Sequence, residues 1–117
     1  GHEYTYLALR MEEGKNSLVL ISGKVTGPSG AGEAQERQLC RIIWDSEEVR
    51  ICITMRKGAV YSYAYSADGK NYKQLPGNAL FSASACTWTG MKIAFAACNV
   101  ENKTSKGWAD IDYIRFL

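Results

Sequence analysis

Three classes of protein are argued against by what is scarce here. The chain has one histidine and two prolines, and its four cysteines, Cys40, Cys52, Cys86 and Cys98, form no CxxC pair. A zinc–thiolate site needs close ligand pairs, and His2 at the chain start cannot supply the missing partner. Apolar runs fall far short of the about 20 residues that a spanning helix requires. No basic run exceeds Arg56-Lys57, and basic and aromatic residues are not interleaved, so neither nucleic acid nor a membrane surface is favoured as partner. The chain opens on Gly1 rather than Met, without a signal peptide, as a processed or recombinant piece does. Amphipathic helix patterns are nearly absent.

What is present is strand chemistry. Hydrophobic residues make up 46% of 117 residues, charged residues 22%, and the net charge is +2, the profile of one soluble globular domain. At this length roughly 65% of the unfolded surface can be buried, so a core forms without staples. Strands are expected over Tyr4–Met11, Ser17–Ser22, Gln38–Trp44, Val49–Met55, Ala59–Ser66, Lys92–Cys98 and Trp108–Phe116, with a weaker one near Tyr72–Leu75. They are rich in Val, Ile, Tyr and Trp and are separated by turn clusters such as Glu12–Asn16 and Arg56–Gly58. Gly23–Gly32 reads as the one long loop, Glu33–Arg37 as at most a helical turn, and Asn99–Gly107 as a polar loop. Short strands at this spacing predict an all-β, two-sheet antiparallel sandwich. Cys40, Cys52 and Cys98 fall in apolar runs, where a thiol behaves as a small hydrophobe, so buried free thiols are expected rather than disulfides.

Within Tyr61–Tyr72 (YSYAYSADGKNY), Tyr61, Tyr63 and Tyr65 share one strand face and Val60, Ser62 and Ala64 the other. The aromatic face is the natural one to bury against a second sheet. Asp68-Gly69 then reverses the chain, since glycine accepts positive φ and aspartate bonds its own turn amides. Hairpin construction accounts for the stretch; a tyrosine ligand wall is the alternative.

The order of motifs is more specific than any one of them. Glu48–Thr54 (EVRICIT) precedes the tyrosine stretch; Trp88-Thr89-Gly90, Ile93–Ala97 (IAFAA) and Gly107–Phe116 (GWADIDYIRF) follow it. This series resembles the C-terminal concanavalin A-like β-sandwich of glycoside hydrolase family 43, the β-xylosidase and α-arabinofuranosidase group. The likeness is strong from Val49 to Leu117 and weaker over Tyr4–Trp44, where Tyr6–Arg10 (YLALR) is similar to the family's Gly-Leu-Ala-Leu strand. Position 72 is Tyr where the family often has Trp. The resemblance implies a jelly-roll sandwich, a truncated one because the family carries further strands upstream. It also implies a fragment of a larger protein whose catalytic carboxylates sit on a separate propeller domain. The expected role is a non-catalytic accessory domain that braces the propeller during hydrolysis of arabinoxylan-type polysaccharide. An autonomous, lectin-like carbohydrate-binding module is the alternative.

Candidate sites are few. Glycoside hydrolysis needs two carboxyl groups about 5–10 Å apart. Asp110 and Asp112, two apart on one expected strand, would have Cα atoms about 7 Å apart, a spacing common in any strand. The Glu-x-Asp-x-Glu stretch of sandwich glycosidases is absent. Asp112-Tyr113-Ile114-Arg115 is similar to a calcium-holding stretch in sandwiches of carbohydrate enzymes, which makes Asp112, and after it Asp110, the expected ligands of a structural calcium. Calcium wants roughly six to eight oxygens, so backbone carbonyls and water would complete the shell; an arginine or amide partner for Asp112 is the competing account. Trp44, Tyr72, Trp88 and Trp108 each adjoin a turn or loop and are the candidates for contact with plant-type oligosaccharides or a neighbouring domain. Each is equally explained as a half-buried packing residue. Asn102-Lys103-Thr104 fits a glycosylation acceptor pattern that is frequent by chance.

Overall fold

A computed structural model describes residues 2–27, 32–76, 80–83, 93–98 and 109–117. The described residues form strands β1 (His2–Glu12), β2 (Lys15–Val25), β3 (Ala34–Ile43), β4 (Arg50–Arg56), β5 (Val60–Ser66), β6 (Lys73–Gln74) and β7 (Phe81–Ser82), with no helix among them. All pairings are antiparallel. One sheet has the order β1-β2-β3; in the other, β5 is flanked by β4 on one side and by β6 and β7 on the other.

Register explains which side chains meet. Leu7 pairs with Leu20 and Leu20 with Cys40; Leu9 pairs with Leu18 and Leu18 with Ile42. The period of two puts these residues on one face of the first sheet. A two-residue turn joins β1 to β2, with positive φ at both Glu13 (52°) and Gly14 (73°), the geometry whose twist matches a hairpin. In the second sheet Ile51, Ile53 and Met55 pair with Tyr65, Tyr63 and Tyr61, so the tyrosine face carries β4's apolar residues beside it.

The two faces close on each other. Leu20 from the first sheet joins Tyr61, Tyr63, Leu75 and Phe81 from the second in one buried cluster, edged by Leu7, Cys40, Ile42 and Tyr65. Full burial of an aliphatic or aromatic side chain contributes about 1.5–3 kcal/mol, so this inter-sheet layer carries the fold. The tyrosines are therefore hairpin and core residues. Ser62, Ala64 and Ser66 on the opposite face of β5 are buried as well, because a central strand is shielded by its neighbours on both sides.

Three expectations change. Ala34–Arg37 is strand, extending β3 backwards, where a helical turn was expected; its polar residues pair with Val25, Lys24, Gly23 and Ser22. Residues 93–98 and 109–117 carry no strand pairing, although their alternation predicts strands; alternation favours extended backbone, but a strand also needs a partner for its amides. Cys98 is exposed, in contrast to half-buried Cys40 and Cys52, and these three thiols are free.

Candidate functional site

Of the four aromatic candidates, the structure describes two. The Trp44 indole Nε1 donates to the Glu48 carbonyl at 2.9 Å, and its ring meets Tyr65 edge-on at 5.5 Å. Its backbone amide donates to the Asn16 carbonyl at 2.9 Å. These contacts join β3 to β2 and one sheet to the other. Tyr72 is 43% exposed and follows a tightly organised turn. There Asp68 Oδ1 accepts from the Lys70 amide, the Asn71 amide and the Ser66 hydroxyl, each at 2.8 Å, while Asn71 Nδ2 donates to Oδ2 at 2.7 Å. The Asn71 and Lys70 amides foremost, then the Asn71 side chain and the Ser66 hydroxyl, hold the Asp68 carboxyl far below the usual carboxylate range. Trp88, Trp108, Cys86 and Asn102–Thr104 lie outside the described residues.

Asp110 and Asp112 are exposed and sit in the segment without strand pairing. Among the described residues no three His, Cys, Asp or Glu side chains converge as a metal site.

The most organised polar surface lies elsewhere, on the outward face of the first sheet. Tyr4, Tyr6, Arg10 and Glu12 alternate along β1 and share that face, opposite Leu7 and Leu9. Tyr4, Gly23 and Glu36 form one row across the three strands. Gly23 has no side chain, and a Cβ built there would overlap the Tyr4 ring, so the ring passes over β2. Tyr4 Oη donates to Glu36 Oε1 at 2.7 Å and Tyr6 Oη to Glu36 Oε2 at 3.1 Å. The two rings are nearly parallel, 11° apart with centroids separated by 6.3 Å.

A second bridge crosses β2 in the other direction. Arg41 Nη1 on β3 reaches Glu12 Oε2 at 3.1 Å, and Arg10 Nη1 lies 3.4 Å from Glu12 Oε1. Beneath these bridges Val19 and Ile21 are buried although they point away from the inter-sheet core. The bond to Glu36, ahead of burial, pushes the Tyr4 phenol up to about 12; burial and then the same carboxylate raise Tyr6. The face thus carries two aromatic rings, two carboxylates and two guanidiniums, held in place by one another. Alternation in Tyr4–Glu12 was the signal for the β1 half. Glu36 gave none, because its strand is polar on both faces.

A cleft of about 460 Å³ opens between the two sheets, on the inward side of the first one, and is lined by Lys24, Gln35, Arg37 and Phe81. Glu3 lines it too and pairs with Lys24 at 3.3 Å.

The comparisons with known proteins agree with this architecture. The family model for the Beta xylosidase C-terminal Concanavalin A-like domain matches residues 1–117, the whole chain. No curated protein and no solved structure is a significant match. The all-β fold, the two antiparallel sheets and the full-length family match make this chain a member of the C-terminal concanavalin A-like domains of glycoside hydrolase family 43.

Proposed function

We propose that the chain is the non-catalytic accessory domain of a larger family 43 enzyme, bracing a catalytic propeller during hydrolysis of arabinoxylan-type polysaccharide. The observation that carries this is the family match over residues 1–117, whose description places the domain at the C-terminus of β-xylosidases. Surface chemistry supports it. Leu9 and Met11 on β1, and Ile51, Ile53 and Met55 on β4, keep between 40% and 72% of their surface exposed. Apolar side chains gathered on strands and left open in this way mark a contact surface, and a propeller packed on these strands would cover them. Adding the chain to its separately produced propeller and following the propeller's melting temperature tests the role.

Calcium at Asp112 is a separate proposal. Its support is the sequence stretch Asp112–Arg115, and no step of the bracing role passes through it.

A further inference from the structure

We infer that the open edge of β1 pairs with the same edge of a second copy of this chain, antiparallel and centred on Leu7. The pairing joins two three-stranded sheets into one continuous sheet. The inference goes beyond the bracing role and does not depend on it.

Hydrogen-bond direction identifies the open edge. The turn between β1 and β2 has two residues, so Glu12 and Lys15 beside it exchange both backbone bonds, as does every second pair after them. Neighbouring contacts agree. Thr5 Oγ1 donates at 2.9 Å to the Ile21 carbonyl on the β1 side of β2, whereas the Asn16 carbonyl accepts from Trp44 on the β3 side. Backbone groups of Tyr4, Tyr6, Ala8 and Arg10 therefore face β2. Those of Thr5, Leu7, Leu9 and Met11 face away from it, and among the described residues β1 pairs with β2 alone.

The other edges are blunted. β3 is interrupted by the register shift at Leu20 and Ile21 and carries Glu36, Arg37 and Arg41. β6 and β7 have two residues each. β4, paired with its own copy about Ile53, would set Arg50 against Arg56. β1 runs eleven residues in unbroken register without Pro or Lys, so it lacks the devices that protect an edge. Its one inward charge, Glu3, lies near the strand end and is paired with Lys24.

The strand is also self-complementary. A two-fold axis at Leu7 brings each outward-facing backbone group against another: Leu7 meets Leu7 of the second copy, Thr5 meets Leu9, and Glu3 meets Met11. Between them Tyr6 meets Ala8, Tyr4 meets Arg10 and His2 meets Glu12, so no like charges stand directly opposite. Leu9 and Met11, 40% and 72% exposed, gain cover from the paired strand.

The test is sedimentation of the 117-residue chain over a concentration series, with amide hydrogen exchange read residue by residue. A monomer–dimer equilibrium is expected, with slow exchange at the Thr5, Leu7, Leu9 and Met11 amides only where the dimer is populated. The Tyr6, Ala8 and Arg10 amides should be protected at every concentration. Leu9→Lys should weaken the dimer about tenfold, because an edge lysine opposes pairing and the two-fold axis introduces it twice. Thr54→Lys, on the β4 edge, should leave the dimer unchanged, and melting curves at low concentration show that both variants fold. A chain that stays monomeric, or a dimer without protection of the four amides, would overturn the proposal. So would protection that does not vary with concentration; slow exchange in residues 109–117 would then identify that segment as the occupant of the edge.

Discussion

The Trp44 ring stands edge-on to Tyr65, centroids 5.5 Å apart and planes at 83°. One residue ends the first sheet and the other lies in the central strand of the second, so this pair ties the two layers together. Such aromatic pairs contribute about 0.5–1.5 kcal/mol beyond the area they bury. Trp44→Ala, at a half-buried position, is predicted to cost about 2–3 kcal/mol in urea unfolding. Tyr63→Ala, fully inside, should cost about 3–5 kcal/mol, whereas Tyr72→Ala should stay within about 0.5 kcal/mol. A stable Tyr63→Ala variant that had lost sugar affinity would restore the ligand-wall account of the tyrosines.

The Tyr4–Glu36 bond makes stability depend on alkaline pH. In the folded chain the bond to Glu36 pushes the Tyr4 phenol up to about 12, from the ordinary 10.0. Between those values the unfolded chain has released the proton and the folded chain still holds it. The unfolded state therefore binds fewer protons, and stability falls as pH rises through that window. Tyr4→Phe should flatten the Tyr4 share of this slope, and Gly23→Ala, which displaces the ring, should return one phenol towards its ordinary value. Ultraviolet titration of the tyrosinates reads both; an unchanged profile in Gly23→Ala would contradict the geometry.

Asp68 works in the opposite direction. Its carboxyl is held below its ordinary 3.8 by the Asn71 and Lys70 amides. Stability from this group is complete above the ordinary value and is lost as pH falls below it, because the unfolded chain then takes up the proton first. Melting temperatures measured downward from about pH 5 should drop less steeply in Asp68→Ala than in the parent chain. Equal slopes would show that the turn amides do not discriminate between the carboxylate and its acid.

These predictions rest on features of unequal visibility in the sequence. The alternation of Tyr61, Tyr63 and Tyr65 with small residues gave the strand, its buried face and the hairpin to Arg50–Arg56 directly, because burial on one face imposes a period of two. The Asp68-Gly69 turn was equally plain, since turn chemistry is local. Glu36 was hidden for the converse reason: Ala34–Arg37 has polar residues on both faces and is held in the sheet by β2, a tertiary cause that no local pattern reveals. The outward polar face was legible only as the strand Tyr4–Met11, and its completion depends on a pairing of Gly23 with Glu36 across a loop. Ile93–Cys98 shows the limit from the other side, with alternation present and no ladder to use it.

Calcium at Asp112 predicts a rise in melting temperature on adding calcium to chelator-treated chain, abolished in Asp112→Asn. Binding only the native state stabilises by mass action, so the shift should grow with calcium concentration. Identical melts with calcium and with chelator would remove the metal from the account.

The bracing role is tested most directly by producing the catalytic propeller of the parent enzyme without this domain, and adding the 117-residue chain back. The propeller's melting temperature and its release of xylose or arabinose from arabinoxylan oligosaccharides are followed together. A saturable rise in both, weakened when Met11 and Met55 are replaced by Asp, is the predicted result. No change in either on adding the chain, or sugar release by the chain alone, would contradict it.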